Sequence, residues 1–307
     1  MGLTFAQEKN MGIFGKHGGT YPKLSKEDEL AVVAWYGNGV TSTRLGKHYG
    51  VCRNTILNIL TRYSATKRSI SEAKQKYSIN HRFFEEITTE AQAYLLGLWA
   101  TDGYLITAKP CAGIGLQERD IELLEKISVV LQSTYPLQVH PKPGRQNMIH
   151  LFFCSPQIKT DLIRHGIIEN KTWFVRPWIG PNDLMRHYWR GAIDGDGSLY
   201  YSRNRDGSRS FSIDFCGNEW MVAGFRDFIE NEIGYRANLG LDNRKSRPFF
   251  RVRYGGMGLP KSIALVLYGS TKLSLARKQR FADEIMHATT RKPNNLGRFP
   301  ARSGRRL

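Results

Sequence analysis

The sequence predicts an α+β fold in which two pseudo-symmetric αββαββα units form a saddle of two antiparallel four-stranded sheets, preceded by a small all-α domain. Three observations predict it. An apolar helix pattern with a central glycine and a terminal Asp-Gly occurs at residues 95–103 and again at 189–197. The same succession of strand and helix patterns follows each copy. Residues 24–63, by contrast, show helical patterns only.

The charge of the chain indicates its partner. It has 45 lysines and arginines against 27 acidic residues, a formal net charge of +18. Such an excess repels itself unless a polyanion neutralises it, so we expect double-stranded DNA as the partner and no small-molecule substrate. The sequence has no run of about 18 apolar residues and no signal-peptide pattern. We therefore expect no membrane association and an intracellular protein that stays with DNA, in the cytoplasm, the nucleoid or an organelle.

Composition and periodicity divide the chain into six segments. Its C-terminal tail has six basic residues and no acidic one, which favours a disordered segment that adds nonspecific affinity for DNA. The connector before the repeats is also basic, and either follows phosphates between two bound domains or is an ordinary solvated linker. The expected boundaries are 1–23 (flexible segment), 24–63 (all-α domain), 64–90 (basic linker), 91–180 (first repeat), 181–290 (second repeat) and 291–307 (basic tail).

The four cysteines are scattered singly along the chain. None has the close pairing that zinc sites use. We therefore expect reduced, mostly buried thiols at Cys52, Cys111, Cys154 and Cys216.

The all-α domain begins with Ser25 and Asp28, which form a helix-start pattern, and Thr41 can cap a second short helix. A third helix follows Val51. Three short helices with this turn spacing resemble the helix-turn-helix of resolvases, whose last helix enters the major groove. Arginine and asparagine make bidentate contacts with guanine and adenine. The base-reading residues expected on the third helix are Arg53, Asn54 and Asn58. A solvated helix face or a protein-docking module is the alternative.

Small residues mark one face of each repeated helix. A glycine inside a helix costs about 1 kcal/mol relative to alanine, so its presence in both copies requires a reason. Gly97 and Thr101 in the first copy, and Gly191 and Gly195 in the second, lie four residues apart. Such faces let helix backbones approach closely. We therefore expect the two helices to pack against each other through these four residues.

This packing would bring two carboxylates together. If the helices lie side by side about a pseudo-twofold axis, Asp102 and Asp196 arrive at neighbouring helix ends, beside Gly103 and Gly197. The negative ends of two helix dipoles and two like charges then share one small site, which a cation stabilises. Oxygen ligands favour a hard divalent metal, so we expect Mg²⁺, with Mn²⁺ as a substitute. The expected metal site comprises Asp102, Asp196 and the two adjoining glycines.

Each motif is followed by four strand patterns and intervening helices. In the second repeat Phe211, Ile213 and Phe215 alternate with polar residues, as in a sheet with one buried face. Its other face is expected to lie along a DNA duplex. Basic residues on or near these strands and turns are Arg203, Arg205, Arg209, Arg244, Lys245, Arg247, Arg251 and Arg253.

Two such motifs with matching units between them resemble the double-motif LAGLIDADG homing endonucleases over about residues 83–285. The departures are Ala100, where the first motif usually has aspartate, and Trp99 and Trp189 at apolar positions. The resemblance implies a monomeric enzyme of mobile introns that cuts both strands of a long DNA site and leaves short 3′ overhangs. It assigns the metal-binding acids to Asp102 and Asp196.

The resemblance also implies polar residues near the scissile phosphates. A lysine late in each half matches Lys171 and Lys272, either of which is otherwise an ordinary surface residue. Each could stabilise the pentavalent phosphate or help to polarise water. Gln117 matches a polar residue that holds site waters, and Cys216 stands at the corresponding place in the second half.

Two other functions share this scaffold. One is a maturase-like RNA-splicing cofactor, and the other is a DNA-binding regulator that has lost cleavage; retention of both aspartates disfavours the regulator. An endonuclease inside an intein is not expected, because the chain begins Met1-Gly2 and ends in Leu307 without splicing residues.

Overall fold

The computed structural model describes residues 24–38, 40–67, 76–205, 207–242 and 248–288. The chain divides into two compact units, residues 1–76 and 77–307. Several sequence predictions lie outside the described residues. They are the flexible segment 1–23, the basic tail 291–307, and the DNA contacts Arg244, Lys245 and Arg247.

The smaller unit has three helices, α1 (Lys26–Gly37), α2 (Ser42–Tyr49) and α3 (Arg53–Arg62). Ser25 and Asp28 form the capping box of α1, and Thr41 caps α2 by accepting from the backbone of Arg44. Buried apolar side chains from all three helices form a core of their own. A unit with a core of its own meets the usual structural criterion for a separate domain.

The larger unit follows the predicted α+β order twice. Its first half contains α4 (Glu90–Thr101), β1 (Gly103–Leu105), β2 (Cys111–Gln117), α5 (Ile121–Val130), β3 (Leu137–His140), β4 (Met148–Cys154) and α6 (Pro156–Arg164). Its second half contains α7 (Asn182–Asp196), β5 (Gly197–Arg203), β6 (Arg209–Gly217), α8 (Glu219–Ile233), β7 (Leu239–Asp242), β8 (Phe249–Gly256), α9 (Gly258–Tyr268) and α10 (Ala276–His287). Short 3₁₀ turns lie at Glu118–Asp120 and Lys171–Trp173.

The two sheets have the same topology. Their strand orders are β1-β2-β4-β3 and β5-β6-β8-β7, with every neighbouring pair antiparallel. The inward residues of both sheets and the faces of the helices belong to one continuous apolar core. The predicted pair of four-stranded antiparallel sheets is therefore confirmed.

Helices α4 and α7 lie against each other at their glycines. A Cβ atom placed on Gly97 would lie 1.9 Å from the carbonyl oxygen of Tyr188, and one on Gly191 would lie 2.0 Å from that of Tyr94. A Cβ on Gly195 would meet Oγ1 of Thr101 at 2.0 Å. No larger side chain fits these contacts, so the glycines set the distance between the two helix axes.

Two of the four cysteines are not reduced thiols, which corrects the sequence prediction. The antiparallel register of β2 and β4 places Cys111 directly opposite Cys154, and the two form a disulfide. Their 43-residue separation gave no sign of this pairing, because only the sheet register brings them together. Cys52 and Cys216 are free, and Cys52 is exposed rather than buried.

The predicted linker contributes to the core. Phe83 and Phe84 are buried among the apolar side chains of the larger unit, and the side-chain amide of Gln92 in α4 donates to the Phe83 carbonyl at 2.8 Å. The end of the basic stretch is therefore structural. Within the described residues, no helix is long and apolar enough to cross a membrane.

Substitution of Gly97 by alanine tests the helix contact. The added methyl group meets the Tyr188 backbone, so we expect the free energy of unfolding to fall by about 2–3 kcal/mol despite the better helix propensity of alanine. Urea denaturation followed by circular dichroism measures the change. Gly258→Ala is the matched control, because nothing lies within 4 Å of its Cβ position. Equal stabilities of the two variants would contradict the contact.

Candidate functional site

The site is built where α4 and α7 end. Asp102 directly follows α4 and Asp196 is the last residue of α7. Oδ2 of Asp102 lies 3.1 Å from the Cβ position of Gly195, the residue before Asp196. Asp102 is half-buried, whereas Asp196 is exposed. The helix contact therefore places both carboxylates beside one another at the edge of the core.

The electrostatics of Asp102 reflect its burial and the charge of Asp196. Burial raises the pKa of its carboxyl group from the ordinary 3.8 to about 6, and the charge of Asp196 adds to this rise. The cations of Lys278, Lys171 and Arg277 oppose it. Two acids that destabilise each other's charge, with oxygen donors only, suit a hard divalent cation. The described residues contain no cluster of three or more His, Cys, Asp or Glu side chains arranged to hold a metal.

Lys171 lies beside this pair of acids. It sits in the 3₁₀ turn Lys171–Trp173, and its ammonium group donates to the carbonyl oxygen of Gly103, the residue after Asp102. Desolvation lowers the pKa of Lys171, while the charges of Asp196 and Asp102 act in the opposite sense. Lys171 is thus a partly buried cation that feels both acids.

The counterpart of Lys171 in the second half is Lys278, which sequence reasoning missed. Nζ of Lys278 donates to the carbonyl oxygens of Gly197 at 2.7 Å, Ile193 at 2.6 Å and Asp194 at 2.8 Å. Gly197 follows Asp196 as Gly103 follows Asp102. Desolvation lowers the pKa of Lys278 to about 8.

Lys272 occupies a different environment. Its side chain is exposed, and its backbone N–H donates to Oε1 of Glu90 at 2.9 Å. In the sequence, Lys278 is one of several basic residues in the amphipathic pattern of α10. No signal therefore distinguished it from an ordinary surface lysine. The structure therefore places Lys278, and not Lys272, at the glycine that follows the second acid.

Strand register changes the expected match between Gln117 and Cys216. Gly103 pairs with Ile114, and Gly197 pairs with Phe215. Counting three residues on from each partner, the counterpart of Gln117 is Asn218, and Cys216 corresponds instead to Gly115. Gln117 is exposed, whereas Asn218 is buried. The two positions therefore share a register but not an environment.

A buried carboxylate anchors the two halves beneath the site. Asp194 accepts hydrogen bonds from Tyr94 in α4 at 2.8 Å, from Tyr268 at the end of α9 at 2.7 Å and from the backbone of Leu275 at 2.6 Å. Burial raises the pKa of Asp194, and the three donors and the charge of Lys278 oppose that rise. Ala100 stands at the equivalent position of α4, so this anchor exists on one side only.

Two of the predicted DNA contacts lie on the outward face of the second sheet. Arg251 and Arg253 alternate with buried Val252 and Tyr254, and so lie on the face away from the core. Arg253 donates to both oxygens of buried Asp214 at 3.1 Å. The first sheet's outward face instead carries Tyr104, His140 and His150. The imidazole rings of the two histidines lie 4.6 Å apart.

Three other arginines lie at the end of the β5–β6 hairpin. Arg203 lies opposite Arg209 in the β5–β6 ladder. Arg209 is two residues before core-facing Phe211 and so lies on the same face of β6. Arg209 forms an ion pair with Glu284 of α10, and Arg205 is exposed in the turn between the strands. None of the three lies on the face that carries Arg251 and Arg253. They remain predicted DNA contacts at the hairpin end.

In the smaller unit, the predicted base-reading residues Arg53, Asn54 and Asn58 are all exposed on α3. Arg53 donates through Nε to Oγ of Ser42 in α2 at 3.3 Å. The apolar side of α3, including Ile56 and Leu60, is buried in that unit's core. One polar face is therefore free of the core along the length of the helix.

Comparison of the sequence with protein-family models and with curated proteins gives no match. The structure is similar to that of the meganuclease I-SmaMI bound to uncleaveable DNA, with 9% sequence identity, coverage of 64% of this chain and 89% of that chain, and a TM-score of 0.44. It is also similar to that of the LAGLIDADG homing endonuclease I-GzeII in complex with its DNA target. The sequence identity is 12%, the match covers 62% of this chain and 87% of that chain, and the TM-score is 0.45. Because the identities are this low and both TM-scores are below 0.5, function has to be argued from the site itself.

The raised pKa of Asp102 predicts that its charge destabilises the fold. The folded chain binds this proton more tightly than the unfolded chain, so stability falls as the pH rises from about 4 to 6. At pH 7.5 without divalent cations, Asp102→Asn should raise the free energy of unfolding by about 1–2 kcal/mol, after allowance for solvent screening.

Urea denaturation at pH 7.5 and pH 3.5 checks this prediction. The gain should largely disappear at the lower pH, where the wild-type carboxyl group is mostly protonated in both states. Asp183→Asn is the control, because Asp183 is exposed in the first turn of α7. An Asp102→Asn variant that loses stability at pH 7.5 would contradict the assignment.

Proposed function

We propose that this chain is a site-specific DNA endonuclease of the LAGLIDADG homing type, which hydrolyses one phosphodiester bond in each strand of a duplex. The observation that carries the proposal is the meeting of Asp102 and Asp196 at the ends of two packed helices, with one lysine beside each, Lys171 partly buried and Lys278 buried. A pair of equivalent acid and lysine groups matches a reaction that has to be performed twice, once on each strand.

The two carboxylates are the residues that would hold divalent metal. Their oxygens are the donors that Mg²⁺ prefers, and burial, together with the charge of Asp196, raises the pKa of Asp102. When bound, Mg²⁺ supplies Lewis-acid activation of water and neutralises charge on the leaving 3′ oxygen.

Lys171 and Lys278 would stabilise the negative charge that develops on the phosphates. Both ammonium groups are held by carbonyl oxygens that immediately follow the acids. A fixed cation in a partly desolvated site stabilises a pentavalent phosphate more strongly than a mobile one in water. At neutral pH Lys278 is mostly protonated, because its pKa stays at about 8.

The outward faces of the two sheets would read the DNA in the major groove. One face has arginines, which contact guanine, and the other has Tyr104, His140 and His150 with no arginine or lysine on its described strands. Unlike faces favour a target that is not palindromic. Since both halves are in one chain, the active unit would be a monomer. It would act inside the cell, in the compartment that holds its target DNA. The two cuts would leave short 3′ overhangs.

Cleavage assays test the proposal directly. A target is first selected from a randomised duplex library with Ca²⁺ present, and the selected duplex is then cloned into a plasmid and incubated with Mg²⁺. We expect linear product from the wild type, none with EDTA, and at least a roughly hundredfold slower reaction from Asp102→Asn and from Asp196→Asn. Asp183→Asn, on the same helix as Asp196, should cut normally. Undiminished cutting by both site variants would overturn the proposal.

The smaller unit would extend the recognised site. Because Asn54 is exposed on α3, we expect Asn54→Ala to weaken binding of the full selected duplex by about 1–3 kcal/mol. Fluorescence anisotropy at fixed salt measures the affinity. Lys26→Gln, at the start of α1, is the control for a polar change elsewhere in the unit. If Asn54→Ala binds as tightly as this control, α3 does not read the DNA.

A further inference from the structure

We propose that each half of the larger unit positions the lysine of the other half: Asn218 holds the turn that carries Lys171, and Asp120 holds the helix that carries Lys278. The inference rests on the proposed function and deepens it. It assigns positioning roles to two buried residues, Asn218 and Asp120. It also implies that the cuts in the two strands can be impaired separately.

The first connection starts from the second half of the unit. Asn218 is buried, with 5% of its surface exposed. Its Oδ1 caps α8 by accepting from the backbone of Met221 at 3.0 Å, while Nδ2 donates to the carbonyl oxygens of Val175 at 3.0 Å and Thr172 at 3.3 Å. One side chain therefore joins the start of α8 to the backbone beside Lys171.

The backbone after Lys171 transmits this constraint. The N–H groups of Phe174 and Val175 both donate to the Lys171 carbonyl at 2.8 Å. A cavity of about 50 Å³ is lined by Lys171, Asn218 and Asp196, among others. The turn therefore packs on the second half, although the ammonium group of Lys171 reaches Gly103 of the first half.

The second connection runs in the opposite direction. Asp120, in the 3₁₀ turn after β2, is buried with 9% of its surface exposed. Its two oxygens accept from Nε of Arg277 in α10 at 3.2 and 3.3 Å. Arg277 immediately precedes Lys278. An acid of the first half thus fixes the first turn of the helix that carries the second lysine.

Two separate connections have a consequence that general stability does not. Weaker folding would slow both strand cuts by the same factor, since both acids share one helix pair. Loss of one connection displaces one lysine only. Displacement of a positioned group by about 1 Å can cost up to about a hundredfold in rate, so the effect should fall on one strand.

Strand-resolved kinetics with Asn218→Asp and Asp120→Asn test the inference. Aspartate caps a helix as well as asparagine does, so Asn218→Asp keeps the α8 cap and loses both donors to the lysine turn. Asp120→Asn keeps its shape and loses its charge. The selected duplex carries a different dye on each strand, and single-turnover nicking is followed with saturating enzyme. Lys171→Met and Lys278→Met identify which strand depends on which lysine.

We expect Asn218→Asp to slow the Lys171-dependent cut, and Asp120→Asn the other cut, each by about tenfold to a hundredfold. Asn182→Asp, an exposed change at the start of α7, should slow neither. A test variant that melts more than about 5 °C below wild type is replaced. Asn218→Ser then replaces Asn218→Asp, and Arg277→Gln replaces Asp120→Asn, because each disrupts the same connection through a different change.

Equal slowing of both strands, or of neither, by the variants that fold would overturn the inference while leaving the proposed function intact. A wild-type chain that cuts no selected duplex would overturn the proposed function, and this inference with it.

Discussion

The backbone contact between α4 and α7 is the constraint on which the rest of the site depends. Gly97 and Gly191 admit no side chain where each faces a carbonyl oxygen of the other helix. Because the contact is nearly symmetric, the two helices end at the same level. Asp102, directly after α4, and Asp196, the last residue of α7, therefore become neighbours. A wider separation of the helices would leave each acid as an ordinary surface carboxylate.

This arrangement has an electrostatic cost that the surroundings offset in part. Asp102 is desolvated, lies near a second carboxylate and follows a helix end, where the dipole disfavours negative charge. Lys171 and Lys278 reduce that cost, and each is itself desolvated and held by backbone carbonyls. The proposed Mg²⁺ would add a further positive charge beside the two carboxylates and so offset more of this cost.

Periodicity and spacing predicted the features that depend on local sequence. The repeated glycines, the Asp-Gly ends and the order of strands follow from patterns of 2 and 3.6 residues, and the structure has them. The position of Lys278 beside Gly197 depends on the path of the chain after α9, which no local pattern encodes. The same holds for the Cys111–Cys154 pair and for the placement of Arg209, since sheet register decides both.

Anomalous diffraction from crystals grown with Mn²⁺ tests the central claim most directly. The account predicts an anomalous peak within ligand distance, about 2.2 Å, of a carboxylate oxygen from both Asp102 and Asp196. A peak bound to only one of these residues, or Mn²⁺ held elsewhere on the chain with the two carboxylates free of metal, would contradict it.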